Sequence, residues 1–239
     1  MKLDILAIGA HPDDIELGCS GTIIKHVRKE KRVGICDLTA GELGTRGSPA
    51  LRAKEASTSA SLMGVSVREN LGIPDGNIEN SPENREKLIR IIRRYRPAVL
   101  LIPYHTDRHP DHEHAHVLAR EAWFYAGLSR IETQWDSQAQ DPFRPRAYYC
   151  YMQWFEFPPT FIVDVTAEYE QRMKTVRAFK SQFYDPESQE RQTVLSTPEF
   201  LLMVSTRLAY YGERIGKKYG EPFFAPIVPR VDDICALNV

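Results

Sequence analysis

The chain has 239 residues, 42% of them apolar, which is enough to bury one large α/β core and excludes a disordered chain. Its formal net charge of −1 lacks the electrostatic footprint of a nucleic-acid or membrane-surface binder. No apolar run reaches the roughly 20 residues that a membrane helix needs.

In chain order, the apolar strand pattern "LDILAIGA" is followed by a helical stretch, "GTIIKHVRKEK". A second strand, "VGICDL", leads through the polar loop "TAGELGTRGSP" to a helix from about Leu51 to Met63. A short strand near "VRENLG" and the turn "IPDGN" precede a helix from about Glu83 to Tyr95. Its basic run, "REKLIRIIRRYRP", carries Leu88, Ile89, Ile91 and Ile92 at helical spacing and reads as a solvated helix face. "PAVLLIPY" is the most apolar strand, and the loop "HTDRHPDHEHAH" comes straight after it. "AYYCYM" and "FIVDV" read as later strands, with helices from about Ala167 to Phe179 and Pro198 to Ile215. Short apolar strands between amphipathic helices predict an α/β fold: a Rossmann-like, mostly parallel sheet with helices on both faces, one domain over 1–239. The cysteines at 19, 36, 150 and 235 include no C-x-x-C pair, so a disulfide framework is not expected. With no leader pattern in the first residues, the expected location is a reducing cytoplasm.

Ligands of such sheets bind beyond the carboxyl ends of the strands, where strand order reverses. Two groups of polar residues are expected there: His11, Pro12, Asp13 and Asp14 after the first strand, and "HPDH" after "PAVLLIPY". Helix capping would explain one aspartate of the first group but not two with a histidine. Of seven histidines, five lie between residues 105 and 116. Imidazole nitrogen and carboxylate oxygen are good donors for a borderline divalent metal, and three protein ligands with an open fourth position is the catalytic pattern. Two histidines and one carboxylate can supply such a set, which leaves a carboxylate and a histidine for proton transfer. Metal-assisted hydrolysis is the chemistry these parts allow.

"AHPDD" followed about a hundred residues later by "HPDH" resembles the LmbE-like (PIG-L) family of zinc-dependent N-acetylglucosamine deacetylases. The likeness extends through "GICDLTAGELGTRGSPALRAKEA", "NLGIPDGNI", "PYHTDRHPDHEHA", "FIVDVTAEYEQRMKTVRAFKSQF" and "YGEPF", covering most of the chain. These stretches resemble the bacillithiol-pathway branch, which implies a small-molecule substrate, N-acetylglucosaminyl malate. The resemblance implies His11, Asp14 and His112 as metal ligands and Asp13 as the general base toward a metal-activated water. It implies His109 as the group that stabilises the oxyanion and protonates the leaving amine, with Asp111 orienting it. Zinc is the expected cofactor, and ferrous iron fits the same ligands. Relatives often form hexamers, so a homo-oligomer is expected. Ser20-Gly21 stands where many members carry two glycines, and serine is small enough to keep that loop.

Other residues carry competing explanations. Arg52 follows a loop with three glycines and suits bidentate capture of a carboxylate or vicinal hydroxyls, while Glu55, three residues on, offers an ordinary helical ion pair. Arg108, beside His109, serves either substrate contact or an ion pair. Arg144 matches a basic position that family members bring to the pocket, in some from a neighbouring subunit. His116 is four residues from His112, but a helix surface explains it better than a ligand role, and His105 and His114 have no assigned role. Glu16 is read either as a loop hydrogen-bond partner or as a charge favouring a helix N-terminus.

Three rivals are weaker. A two-histidine, one-carboxylate iron oxygenase would leave Asp13 and His109 idle and favours an all-β fold. A nucleotide-binding module would need G-x-G-x-x-G where "GAHPDDIELG" stands. A non-catalytic metal-dependent sugar-binding protein would have no use for a paired base and acid. Within the enzyme reading, deacetylation of another N-acetylglucosamine conjugate (chitobiose-like, inositol-linked or mycothiol-conjugate-like) is the alternative to the malate conjugate.

Overall fold

Five consecutive buried positions in each of the first, second and fourth strands make the centre of the sheet water-free on both faces. The computed structural model describes residues 1–236. Its strands are β1 (Ile5–Gly9), β2 (Val33–Asp37), β3 (Val67–Asn70), β4 (Val99–Pro103), β5 (Gln134–Trp135), β6 (Gln138–Ala139), β7 (Ala147–Tyr151), β8 (Phe161–Asp164) and β9 (Gly220–Phe224). The helices are α1 (Asp14–Gly18), α2 (Ser20–Arg28), α3 (Pro49–Met63), α4 (Pro82–Tyr95), α5 (Pro110–Tyr125), α6 (Tyr169–Arg177) and α7 (Pro198–Glu213).

Seven strands form one sheet in the order β3-β2-β1-β4-β7-β9-β8, and β5 pairs with β6 in a separate hairpin. The pairs from β3 to β7 are parallel, while β9 runs antiparallel to both β7 and β8. The sheet is therefore mostly parallel, as its strand and helix alternation predicts. Alternation along β1 divides the core. Leu6 and Ile8 join Leu88, Ile92, Leu118 and Ala122 of α4 and α5 on one face. Ile5 and Ala7 join Ile15, Ile23, Ile24 and Met63 of α1, α2 and α3 on the other.

Two elements depart from the sequence expectation. The stretch after "PAVLLIPY" is a loop only as far as His109, because Pro110 opens α5 and Ala115, Leu118, Ala119 and Ala122 give that helix a buried stripe. The strand β9 contains Glu221 and Pro222, both poor strand formers, yet lies between β7 and β8. Glu221 is tolerated because its carboxylate is fully paired. It accepts from Gly21 N at 2.9 Å and Thr22 N at 2.7 Å, in the first turn of α2, and from Arg172 Nε at 2.8 Å. Arg172 is 1% exposed and Glu221 0% exposed, and a second Arg172 nitrogen donates to Leu17 O at 2.5 Å. This buried pair ties α6 and β9 to the turn that follows the "AHPDD" segment. Removing one partner leaves a buried charge uncompensated, so Arg172→Ala and Glu221→Ala should each lose about 3–5 kcal/mol of unfolding free energy in urea titrations. The double substitution should lose clearly less than the sum, since the two positions share one interaction.

Candidate active site

The strands β1 and β4 are neighbours and parallel, with Ile5 opposite Val99, so their carboxyl ends finish side by side. The chain order reverses at this pair, and both following segments lead through loops into helices, α1 after β1 and α5 after β4. After β4, His109 is the N-cap of α5: its Nδ1 accepts from Asp111 N at 3.2 Å, and Pro110 fills the first helical position. The "HPDH" segment is thus a helix start, with its acidic residue at the positive end of the helix dipole. After β1, Asp13 stands at the N-cap of α1 but its side chain makes no capping bond. Asp14 Oδ2 instead accepts from His11 N at 2.9 Å. Capping does not account for Asp13.

Asp13 also carries the backbone φ of 125° that an L side chain rarely adopts. It is 5% exposed, and burial, aided by Asp14, pushes its carboxyl up to about 7 against the pull of Arg52. Arg52 Nη2 lies 3.3 Å from Asp13 Oδ1 and donates to Pro12 O at 2.5 Å, while Nη1 donates to Gly41 O at 3.2 Å. At Gly41, φ is +67° and a Cβ would collide with Arg52 Nη1, so the glycine is required by this close approach.

His11, Asp14 and His112 offer donor atoms that all lie within 4.8 Å of one another. His112 Nε2 is 3.2 Å from Asp14 Oδ1, and His11 Nδ1 is 3.7 Å from Asp14 Oδ2. Burial would raise the Asp14 carboxyl, but His112 and His11 outweigh it and hold it well below the usual range. Burial would likewise lower His112, and Asp14 and Asp107 reverse this, to about 9. His11 is held well above its ordinary value, against burial, by Asp111, Asp14 and Asp75. Asp13, Asp14, Asp75, Asp107 and Asp111, all under a tenth exposed at the side chain, thus gather around imidazoles and one guanidinium. Two nitrogens, one carboxylate and this surplus of negative charge fit a borderline divalent cation. His11, His109 and Asp111 form a second triad within the same limit.

Residues 6–123 match the PIG-L family, described as GlcNAc-PI de-N-acetylase. The crystal structure of a conserved protein from Thermus thermophilus is 36% identical, with a TM-score of 0.84 over 96% of this chain and 97% of that one. The chain belongs to the PIG-L family of deacetylases. A diacetylchitobiose deacetylase of Thermococcus kodakarensis is 29% identical over 227 residues, 91% of this chain and 80% of that protein. The N,N'-diacetylchitobiose deacetylase of Pyrococcus horikoshii, solved with its inhibitor MPG, is 28% identical with a TM-score of 0.77, covering 92% and 82% of the two chains.

In this PIG-L chain a cavity of about 450 Å³ opens over the cluster, bordered by His11, Asp13, Asp14, His109 and His112. Arg52 and Arg108 border it too. Arg108 is exposed, with its guanidinium 4.1 Å from the Trp154 ring. Arg144 does not border it. Its Nε and Nη2 donate to Phe124 O at 3.0 and 2.7 Å, because β7 runs parallel to β4 and residue 144 precedes its start, at the opposite end of the sheet. The expectation that the Arg144 loop opens on the crevice does not hold within one chain. The Asp111 carboxylate faces His11 Nε2 at 3.3 Å and Gly76 N at 2.8 Å, and only its backbone N–H meets His109. Glu55 accepts from Ser181 instead of pairing with Arg52, and Glu16 accepts from Arg68 Nη1 and Ser59 Oγ, each at 2.6 Å. His116 is buried with Nδ1 2.9 Å from Pro103 O, while His105 and His114 are exposed.

Three partners escaped the sequence reading. Asp75, in the turn after β3, lies 2.9 Å from His11 Nε2, and Asp107, after β4, lies 2.9 Å from His112 Nδ1. Gln153, after β7, donates to Asp14 Oδ1 at 2.7 Å. Each follows a parallel strand, so applying the carboxyl-end rule to every strand would have found them.

Both Asp13→Gly and Asp13→Ala remove the carboxylate facing buried Arg52, so their difference isolates the backbone: Asp13→Gly is expected to be about 1 kcal/mol more stable than Asp13→Ala in the metal-free protein, read as a higher Tm. Equal Tm values for the two variants would mean that the backbone there is relaxed.

Proposed function

We propose that this chain is a metal-dependent N-deacetylase acting on N-acetylglucosamine conjugates. The observation that supports it is the meeting, in one cavity, of a carboxylate at Asp13 that caps no helix, the His11, Asp14 and His112 triad, and His109. His11, Asp14 and His112 would hold the cation, with zinc the first candidate and ferrous iron the second. Bound there, it would supply Lewis-acid polarisation of the acyl oxygen and water of lowered pKa.

The chain's own groups divide the proton work. Asp13, fixed in direction by Arg52, takes the proton of the attacking water at its carboxylate. His109 accepts the Asp111 N–H at Nδ1, so its neutral form carries hydrogen on Nε2 and presents a donor for the leaving nitrogen. Burial and the neighbouring His11 and His112 lower its pKa, so the imidazolium formed when Nδ1 takes up a second proton gives the Nε2 proton readily to the leaving amine and returns to the neutral ring. Asp107 and Gln153 hold His112 and Asp14 in place as positioning residues.

The named relatives act on diacetylchitobiose, which supports an N-acetylglucosamine unit in the cavity. Within that class, the malate conjugate of the bacillithiol branch asks for partners for two carboxylates. Among the described residues, the other bordering arginines (Arg46, Arg52, Arg172 and Arg207) are engaged by Glu190, Asp13, Glu221 and backbone carbonyls. Arg108 is left to meet an anionic aglycone.

Free-amine release from N-acetylglucosamine, diacetylchitobiose and N-acetylglucosaminyl malate, before and after chelation, tests the proposal. Activity is expected to vanish on chelation and return with zinc or ferrous iron; full turnover at negligible metal content would overturn the reading. His112→Ala should lower metal content and rate together. Asp13→Asn should keep the metal and lower turnover by about 10²–10⁴-fold, whereas Asp14→Asn should lose the metal.

A further inference from the structure

Helix α7 has one inward stripe, Phe200, Met203, Val204, Arg207 and Leu208, at the spacing i, i+3, i+4, i+7, i+8. All five border the active-site cavity. The single charge among them is spent on backbone: Arg207 donates to Gln153 O and, at 2.9 Å, to Trp154 O. Opposite stand Leu17, Met152 and Trp154, the last stacked on Phe200 with ring centroids 6.2 Å apart. Met152 is 3% exposed, Leu208 4% and Val204 8%, so the cavity reaches past the carboxylates into the apolar interior. Val194, 59% exposed on the loop before α7, continues the apolar wall to the mouth.

A hexosamine is covered with hydroxyls, and none of this wall can pair with them. Apolar surface left facing a space continuous with the reaction centre gains stability when hydrocarbon covers it. We infer that the cavity holds a hydrocarbon-bearing amino sugar, whose chain or aryl group lies along the α7 stripe while its amide sits at Asp13 and His109. This rests on the deacetylase reading for the amide but not for the chain. Hydrocarbon could enter on the acyl side or on the glycosidic side, and two substrate series separate these sources.

The first series is N-acetyl-, N-butanoyl- and N-hexanoylglucosamine; the second is the methyl, butyl and hexyl glycosides of N-acetylglucosamine. In one series kcat/KM should rise by at least about tenfold from the shortest to the longest member, mainly through KM, given about fourfold for each buried methylene. Met203, half-buried on the stripe, is the position to perturb: Met203→Glu should bring the ratio of longest to shortest back toward one. Calorimetric titration of chelated protein with hexyl N-acetylglucosaminide and with N-hexanoylglucosamine supplies a readout free of turnover, and the member of the series that rises is expected to bind with a negative heat-capacity change. Hydrolysis of N-acetylglucosamine with both series flat, and no calorimetric binding, would overturn the chamber and leave the deacetylase standing. Binding of the hexyl glycoside without any amine release would uphold the chamber and overturn the deacetylase.

Discussion

Parallel pairing of β1 with β4 is the constraint on which the site depends. Because the two strands run the same way and end level, the segments after them must turn within a few ångströms of each other. Each segment soon enters a helix, so His109 and Asp14 meet at the cluster as helix N-terminal residues. His109 and Asp14 show what this gives. One uses its ring to cap α5, and the other uses its carboxylate to close the turn at His11, and in both cases a fold contact fixes the orientation of a group that the proposed reaction uses.

The same closeness creates an electrostatic problem. Five carboxyl groups in a water-poor pocket repel one another and resist burial as anions. The structure answers with imidazoles placed between carboxylates: His11 between Asp14, Asp75 and Asp111, and His112 between Asp14 and Asp107. Asp13 is excluded from this mutual compensation. Its one direct ion pair among the described residues is with Arg52, it sits at a positive φ, and it is the carboxyl whose protonation is displaced into the neutral range. A group that the fold accommodates so poorly is what the proposed proton transfer would require at this position.

The parallel centre of the sheet was legible because Ile5–Gly9, Val33–Asp37 and Val99–Pro103 are uninterrupted apolar runs between amphipathic helices. The "AHPDD" and "HPDH" groups were legible because each lies in the segment that leaves such a run at its carboxyl end. Tertiary partners were not. Local spacing offered Glu55 to Arg52, but Glu55 faces Ser181 across the α3 and α6 side, and Arg52 turns instead to backbone carbonyls of two loops. Arg144 lies away from the cavity within one chain because it precedes β7, at the amino end of a strand parallel to β4. In β9, Glu221, one of the two residues that argue against a strand, is admitted by partners some 200 positions earlier in the chain.

That separation has a temporal meaning. Gly21 and Glu221 are 200 residues apart, so the first turn of α2 waits for its acceptor until 200 further residues have been made. At about 5–20 residues per second, synthesis leaves that turn without its anchor for roughly 10–40 s. Closing so long a loop is slow and entropically unfavourable until most of the sheet is in place. The turn just after the histidine and aspartates therefore gains this anchor only once β9 is in place, long after those residues are themselves made.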